Sequence, residues 1–222
     1  MPSCEPNKGH GCSLVVTDDL QAALQALRRG EVIAYPTETV YGLGVDPWNP
    51  EALARLFQLK GRAPDKGLIL LIDGTDQLAH LAKPWSPLAQ RLIDRFWPGP
   101  LTLVLPARPE LPLQVTGPPH HGISHVAVRH SPSPTISALL KGWGKPLVST
   151  SANPSGAPVY ANAAAIAQAW SHELSVIIEE KTQDITWQDQ SQPSTVVRVA
   201  DHALIMLREG ALGHRDLQAA LD

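Results

Sequence analysis

PEALARLFQLKGRAPDKGLILLI, residues 50–72, hands a helix directly to a buried strand. Residues 50–60 carry apolar side chains at helical spacing behind a proline that suits a first helical turn. Residues 67–72, Gly67-Leu68-Ile69-Leu70-Leu71-Ile72, are an uncharged apolar run of strand length. Between them stand Lys60, Arg62 and Lys66, the first two where the helix ends and the third where the strand begins. Basic residues in a last helical turn face its negative end, so an ordinary solvated terminus is one explanation of the cluster.

The same alternation extends in both directions. Residues 18–29, DDLQAALQALRR, form an amphipathic helix that Gly30 stops, and Val32-Ile33-Ala34-Tyr35 is a short buried strand ended by Pro36. Helices are expected at 86–97, 134–144 and 162–170, and strands at 101–107, 124–130, 146–150, 175–180, 194–199 and 203–209. Strands alternating with helices over most of the length give an α/β class, a twisted open sheet, mainly parallel or mixed, with flanking helices.

The chain has 222 residues, long enough for one generous domain. Residues 1–12 are expected to be a flexible N-terminal tail and 13–222 a single domain. Hydrophobic residues make up 43% and charged residues 18%, a globular balance. With 21 Pro and 16 Gly, much of the chain must lie in shaped loops, where sites tend to be built. A formal charge of −3 argues against broad nucleic-acid binding, although a local basic groove is compatible with it. Cys4 and Cys12, with His10, fit no closed zinc pattern. No uncharged run approaches membrane-spanning length and no signal-peptide core opens the chain, so a cytoplasmic, reduced protein is expected.

Three loops at strand ends carry the chemistry. Pro36-Thr37-Glu38-Thr39-Val40-Tyr41-Gly42-Leu43-Gly44 brings two hydroxyls and a phenol ahead of a Gly-x-Gly, or is simply a Thr-capped turn. Ser149-Thr150-Ser151-Ala152-Asn153-Pro154-Ser155-Gly156 packs hydroxyls and an amide behind a strand, or caps the helix at 162–170. Gln192-Pro193-Ser194-Thr195 repeats the pattern. Hydroxyls and backbone N–H groups at strand ends hold phosphates or carboxylates in open α/β sheets. Arg129 and Arg208 close two strands, and a buried Arg needs an anion. That anion is either a ligand or an internal acid, the acid being expected at Arg208 ahead of Arg129. No nucleophile elbow, metal-spaced His pair or P-loop is present, so the nucleophile is expected to belong to a substrate, the protein positioning reactants and neutralising phosphate charge.

YPTETVYGLGVDP, LKGRAPDKGLILL, WPGPLTLVLPA, VAVRH, PLVSTSANPSG and PSTVV, in that order over residues 32–210, closely resemble the YrdC family, the threonylcarbamoyl-AMP synthases, in a short single-domain form. The family's Lys-x-Arg and Ser-x-Asn signatures are Lys60-Gly61-Arg62 and Ser151-Ala152-Asn153 here. The resemblance implies a twisted open sheet with a basic concave face, and the condensation of L-threonine, bicarbonate and ATP into L-threonylcarbamoyladenylate and pyrophosphate. A partner complex then transfers the group to tRNA, so transient contact with that complex is implied.

In that light Lys60 and Arg62 are the catalytic pair, holding ATP with Ser149, Ser151 and Asn153, while Arg208 flanks the nucleotide and Mg²⁺ bridges the phosphates. Thr37, Lys66, Arg129 and Ser194 are implied to hold threonine. The competing readings are a non-catalytic tRNA- or double-stranded-RNA-binding or ribosome-maturation module of the same fold, and another carbamoyl- or acyl-adenylate enzyme.

Overall fold

The computed structural model describes residues 14–64, 66–179, 192–200 and 203–219. The expected tail at 1–12, with Cys4 and Cys12, lies outside the described residues. The strands are β1 (Val15–Thr17), β2 (Ile33–Tyr35), β3 (Gly42–Gly44), β4 (Ile69–Ile72), β5 (Leu101–Pro106), β6 (His125–His130), β7 (Leu147–Ser151), β8 (Val176–Ile178), β9 (Thr195–Ala200) and β10 (Ala203–Arg208). They form one sheet in the order β1-β8-β2-β3-β7-β4-β6-β5-β9-β10. The mixed alternative is the one that forms: β1/β8, β2/β8, β4/β6 and β5/β9 are parallel and the other five pairings antiparallel.

Helix starts follow local signals. In α2 (Pro50–Lys60) the Asn49 side chain accepts from Ala52 N at 3.0 Å and Pro50 occupies the first turn. Ser86 before α4 (Pro87–Phe96) and Ser133 before α6 (Pro134–Trp143) repeat the pairing of cap and proline. Asp19 caps α1 (Leu20–Arg28), and Asn162 caps α7 (Ala163–Ala169). Gly61 closes α2 at φ 57°, a left-handed conformation that glycine adopts without penalty, and this turns the chain toward Arg62. No helix among the described residues is long and apolar enough to cross a membrane.

Because side chains alternate across a strand, each strand feeds two layers. Leu70, Ile72, Leu103, Leu105, Val126, Val128 and Val148 join the larger core with Leu53 and Leu56 of α2 and Leu92 of α4. Ile33, Tyr35, Leu71 and Leu147 point the other way, into a smaller core with α1 and α6. That second face is only partly roofed. Beyond Leu71 the same parity continues through Ile69, Ala127, Arg129, Val104 and Val196, and these residues line an open cavity.

The Thr-capped turn forms, with Thr37 Oγ1 accepting from Thr39 N and Val40 N at 3.2 Å, and the Gly-x-Gly beyond it is a strand, which packing explains. β2 pairs β3 with Tyr35 opposite Gly42, and the buried Tyr35 ring lies over both glycines. A Cβ on Gly42 would sit 2.8 Å from Tyr35 Cε2, and one on Gly44 2.6 Å from Tyr35 Cε1. The phenol donates to Val148 O at 3.1 Å, which pins the ring in place. Gly44→Ala is therefore expected to destabilise the fold by about 1–3 kcal/mol, lowering the melting temperature by several degrees. A thermal melt that matches the wild type would refute this account of β3.

Candidate active site

The cavity has a volume of about 530 Å³ and lies on the uncovered part of the sheet. Its wall is assembled from loop 37–42, the end of α2, the end of β7 with the loop after it, the middle of β6, and the 193–194 and 207–208 segments. Thr37, Lys60, Arg62, Arg129, Ser149, Ser151, Asn153, Ser194 and Arg208 all line it. Lys66 does not: its side chain is solvent-exposed, and its main-chain carbonyl accepts from Arg62, which does. Four cations thus face one cavity, while no Asp or Glu lines it among the described residues.

Lys60 is 4% exposed. Its ammonium donates to Ser151 O at 2.5 Å, Asn153 O at 2.9 Å and Asn153 Oδ1 at 3.3 Å. Ser155 N returns a bond to Lys60 O at 2.8 Å. Burial, and then repulsion from Arg62, bring the Lys60 pKa down to about 8. The helix end and the Ser-x-Asn loop are thereby one unit. Ser151 Oγ donates to Asn153 Oδ1 at 2.5 Å and Asn153 Nδ2 donates to Ala157 O, so this amide shapes its own loop. The capping alternative for that loop fails because Asn162 Oδ1, nine residues beyond Asn153, accepts from Ala165 N.

Arg62 takes a different course from Lys60. Its NH2 donates to Lys66 O at 2.7 Å and Gly67 O at 3.1 Å, which braces the loop entering β4. The two cations are close enough to repel, yet Lys60 is engaged by carbonyls and Arg62 by the opposite loop.

At the other end, Arg129 forms an ion pair with Glu38, and Ser131 Oγ donates to the second oxygen of that carboxylate. The internal acid expected ahead at Arg208 is at Arg129 instead. β6 lies two strands from β7, and the 36–41 loop drops its acid over that strand end. Among the described residues Arg208 meets only neutral acceptors: Nε donates to Ser194 O at 3.1 Å, and NH2 to Ser194 O at 2.7 Å and Ser194 Oγ at 3.2 Å. Burial, then the nearby Arg129, lower its pKa. Ser194 Oγ lies 2.8 Å from Thr102 Oγ1, a buried strand hydroxyl that sequence reasoning missed. Thr37 Oγ1 donates to Val40 O at 2.7 Å and sets its own turn.

His125 also lines the cavity, with its pKa lowered chiefly by burial. Among the described residues no group of three or more His, Cys, Asp or Glu side chains is placed to hold a metal. The donor set is hydroxyls, carbonyls and cations. Such a set, with no carboxylate cage among the described residues, would suit a divalent ion only if it were carried in on phosphate oxygens.

Residues 25–210 match the model of the protein family described as "Telomere recombination" and named for Sua5, YciO and YrdC. A threonylcarbamoyl-AMP synthase of Xanthomonas campestris pv. campestris (strain B100) is 45% identical over 156 residues, covering 68% of this chain and 79% of that one. A threonylcarbamoyl-AMP synthase of Bacillus subtilis (strain 168) is 36% identical over 208 residues, covering 92% and 58%. Among solved structures, P. abyssi Sua5 complexed with L-threonine aligns with a TM-score of 0.82 at 33% identity, covering 94% of this chain and 60% of that one. The chain therefore spans less than two thirds of the length of these last two proteins.

Proposed function

The chain belongs to the Sua5/YciO/YrdC family, and from that premise we propose that it is an L-threonylcarbamoyladenylate synthase. The amine of L-threonine and bicarbonate form a carbamate with loss of water. A carbamate oxygen then attacks the α-phosphorus of ATP, the bond to the β-phosphate oxygen breaks, and pyrophosphate leaves.

One observation carries the proposal: four cations converge on a cavity of about 530 Å³ that no carboxylate lines among the described residues. Such a site favours a substrate set rich in negative charge, and the reacting nucleophile comes with the substrates. The Lys60, Arg62, Ser149, Ser151 and Asn153 end suits the phosphates of MgATP. The Thr37, Arg129 and Ser194 end suits the amino acid, and Arg208, bonded to Ser194 at that end, flanks the nucleotide. Lys66 has no side-chain role in this assignment. The adenylate is an activated acyl donor, and its consumption by transfer to tRNA in the cytoplasm, through contact with the transfer complex, completes the proposal.

Pyrophosphate release from the purified protein tests it. Turnover is expected with ATP, Mg²⁺, threonine and bicarbonate together, without tRNA, and is expected to collapse when threonine or bicarbonate is omitted. Equal ATP turnover without threonine would refute the substrate assignment. Adenylate formed only after tRNA is added would favour an RNA-binding module instead.

A further inference from the structure

Glu38 does not line the cavity, yet it holds the residue assigned to the substrate carboxylate. The pair is well buried, with Arg129 at 5% and Glu38 at 15% side-chain exposure. One Glu38 oxygen takes Arg129 NH1 and the other takes Ser131 Oγ. Ser131 Oγ in turn accepts from Ser133 N at 3.2 Å, and Ser133 caps α6. The carboxylate is thus tied at both oxygens, one of them to a helix terminus. Arg129 Nε is buried without a hydrogen bond among the described residues. NH1 is paired, so NH2 is the nitrogen left for the cavity that Arg129 lines.

We propose that Glu38, anchored through Ser131 to the start of α6, is the positioning residue of the amino-acid end, fixing Arg129 so that one edge of its guanidinium meets a single substrate carboxylate. The inference rests on the proposed function above. Charge supports it as well as geometry. Arg129 and Arg208 lie near enough to repel, and with Glu38 paired to Arg129 the three groups sum to a single positive charge, the complement of one carboxylate. Without Glu38 the guanidinium would keep its charge but lose its direction. A planar fork is useful only when its plane is set.

The test is steady-state pyrophosphate release by the full chain, with KM measured separately for threonine and for ATP. Glu38→Gln keeps the side-chain shape and one acceptor oxygen but removes the charge. Its threonine KM is expected to rise about tenfold or more, while its ATP KM stays within about twofold. Ser131→Ala keeps every charge and should raise the threonine KM about threefold. The double variant should be no worse than Glu38→Gln, since both act through one chain of contacts.

A threonine KM that is unchanged or lower in Glu38→Gln would overturn the proposal, the lower value marking Glu38 as a competitor for Arg129. Equal rises in both KM values would reduce Glu38 to a structural partner and also overturn it. Should Glu38→Gln fail to fold, an unchanged threonine KM in Ser131→Ala would do the same. Loss of threonine dependence in the wild type would instead refute the parent reading.

Discussion

Lys60→Ala is expected to lose stability and turnover together. The ammonium holds two main-chain carbonyls and one amide oxygen of the Ser151–Asn153 loop, and nothing else among the described residues is bonded to it. Truncation removes a charged donor and leaves buried acceptors unmatched, a loss of about 2–3 kcal/mol. For a chain of this size that corresponds to a melting temperature lower by about 5–10 °C. Relief of repulsion with Arg62 works in the other direction and keeps the loss at the lower end.

Because the same loop brings Ser151 and Asn153 to the cavity, adenylate formation should fall at least about a hundredfold. Lys60 also leaves a signature in pH. Its pKa drops from 10.5 to about 8 on folding, so between those values the unfolded chain binds more protons and wild-type stability gains with rising pH. The difference in melting temperature between wild type and Lys60→Ala should therefore widen from pH 8 to pH 10. A variant that melts as the wild type does, with a flat difference across that window, would show that Lys60 is not the strut the geometry describes.

How much of this was legible in the sequence depended on whether the deciding signal was local. Asn49-Pro50 and Gly61 bracket α2 at the bounds expected from residues 50–60 alone, and Ser86-Pro87 and Ser133-Pro134 start two other helices within one residue of the expected positions. β3 was not legible as a strand, because Gly-Leu-Gly has low strand propensity and its reason is the Tyr35 ring on the neighbouring strand. β1 is three residues long with exposed Val15 and Val16, so it lacked the apolar alternation that marks a strand. The short helices α3 (Thr75–Leu81), α5 (Leu113–Thr116) and α8 (His214–Gln218) likewise carry too few turns to show a period.

The site divides along the same line. Residue types at strand ends drew attention to the cation and hydroxyl loops, and nine of the ten named residues share the cavity. Their partners were not legible. Lys60 meets carbonyls 91 and 93 positions away, and Arg129 meets an acid 91 positions away. Those meetings are set by strand order, with β7 inserted between β3 and β4 and β6 beyond it. Glu38 stood in a loop noticed for its hydroxyls, and no spacing rule links it to β6.

Arg62→Ala should separate from Lys60→Ala, because the two cations do different work two residues apart. The Arg62 NH2 bonds to Lys66 O and Gly67 O lie at the exposed side of the site, where water can replace them, so their loss should cost about 1 kcal/mol or less. The melting temperature without ligand should fall by no more than about 2–4 °C. Rate is another matter, since Arg62 lines the same cavity as Lys60. A preorganised cation removed from a phosphate-transfer site typically forfeits about 3 kcal/mol of transition-state stabilisation, or about a hundredfold in rate. Arg62→Lys keeps the charge but cannot span two carbonyls and a phosphate at once, so it should recover only part of that loss. The thermal shift on adding MgATP should shrink in both variants and vanish in neither if Lys60 remains. If Arg62→Ala turns over at the wild-type rate, the Lys-x-Arg pair reduces to a strut and a loop brace, and the charge that draws pyrophosphate out must then be sought at Arg129 and Arg208.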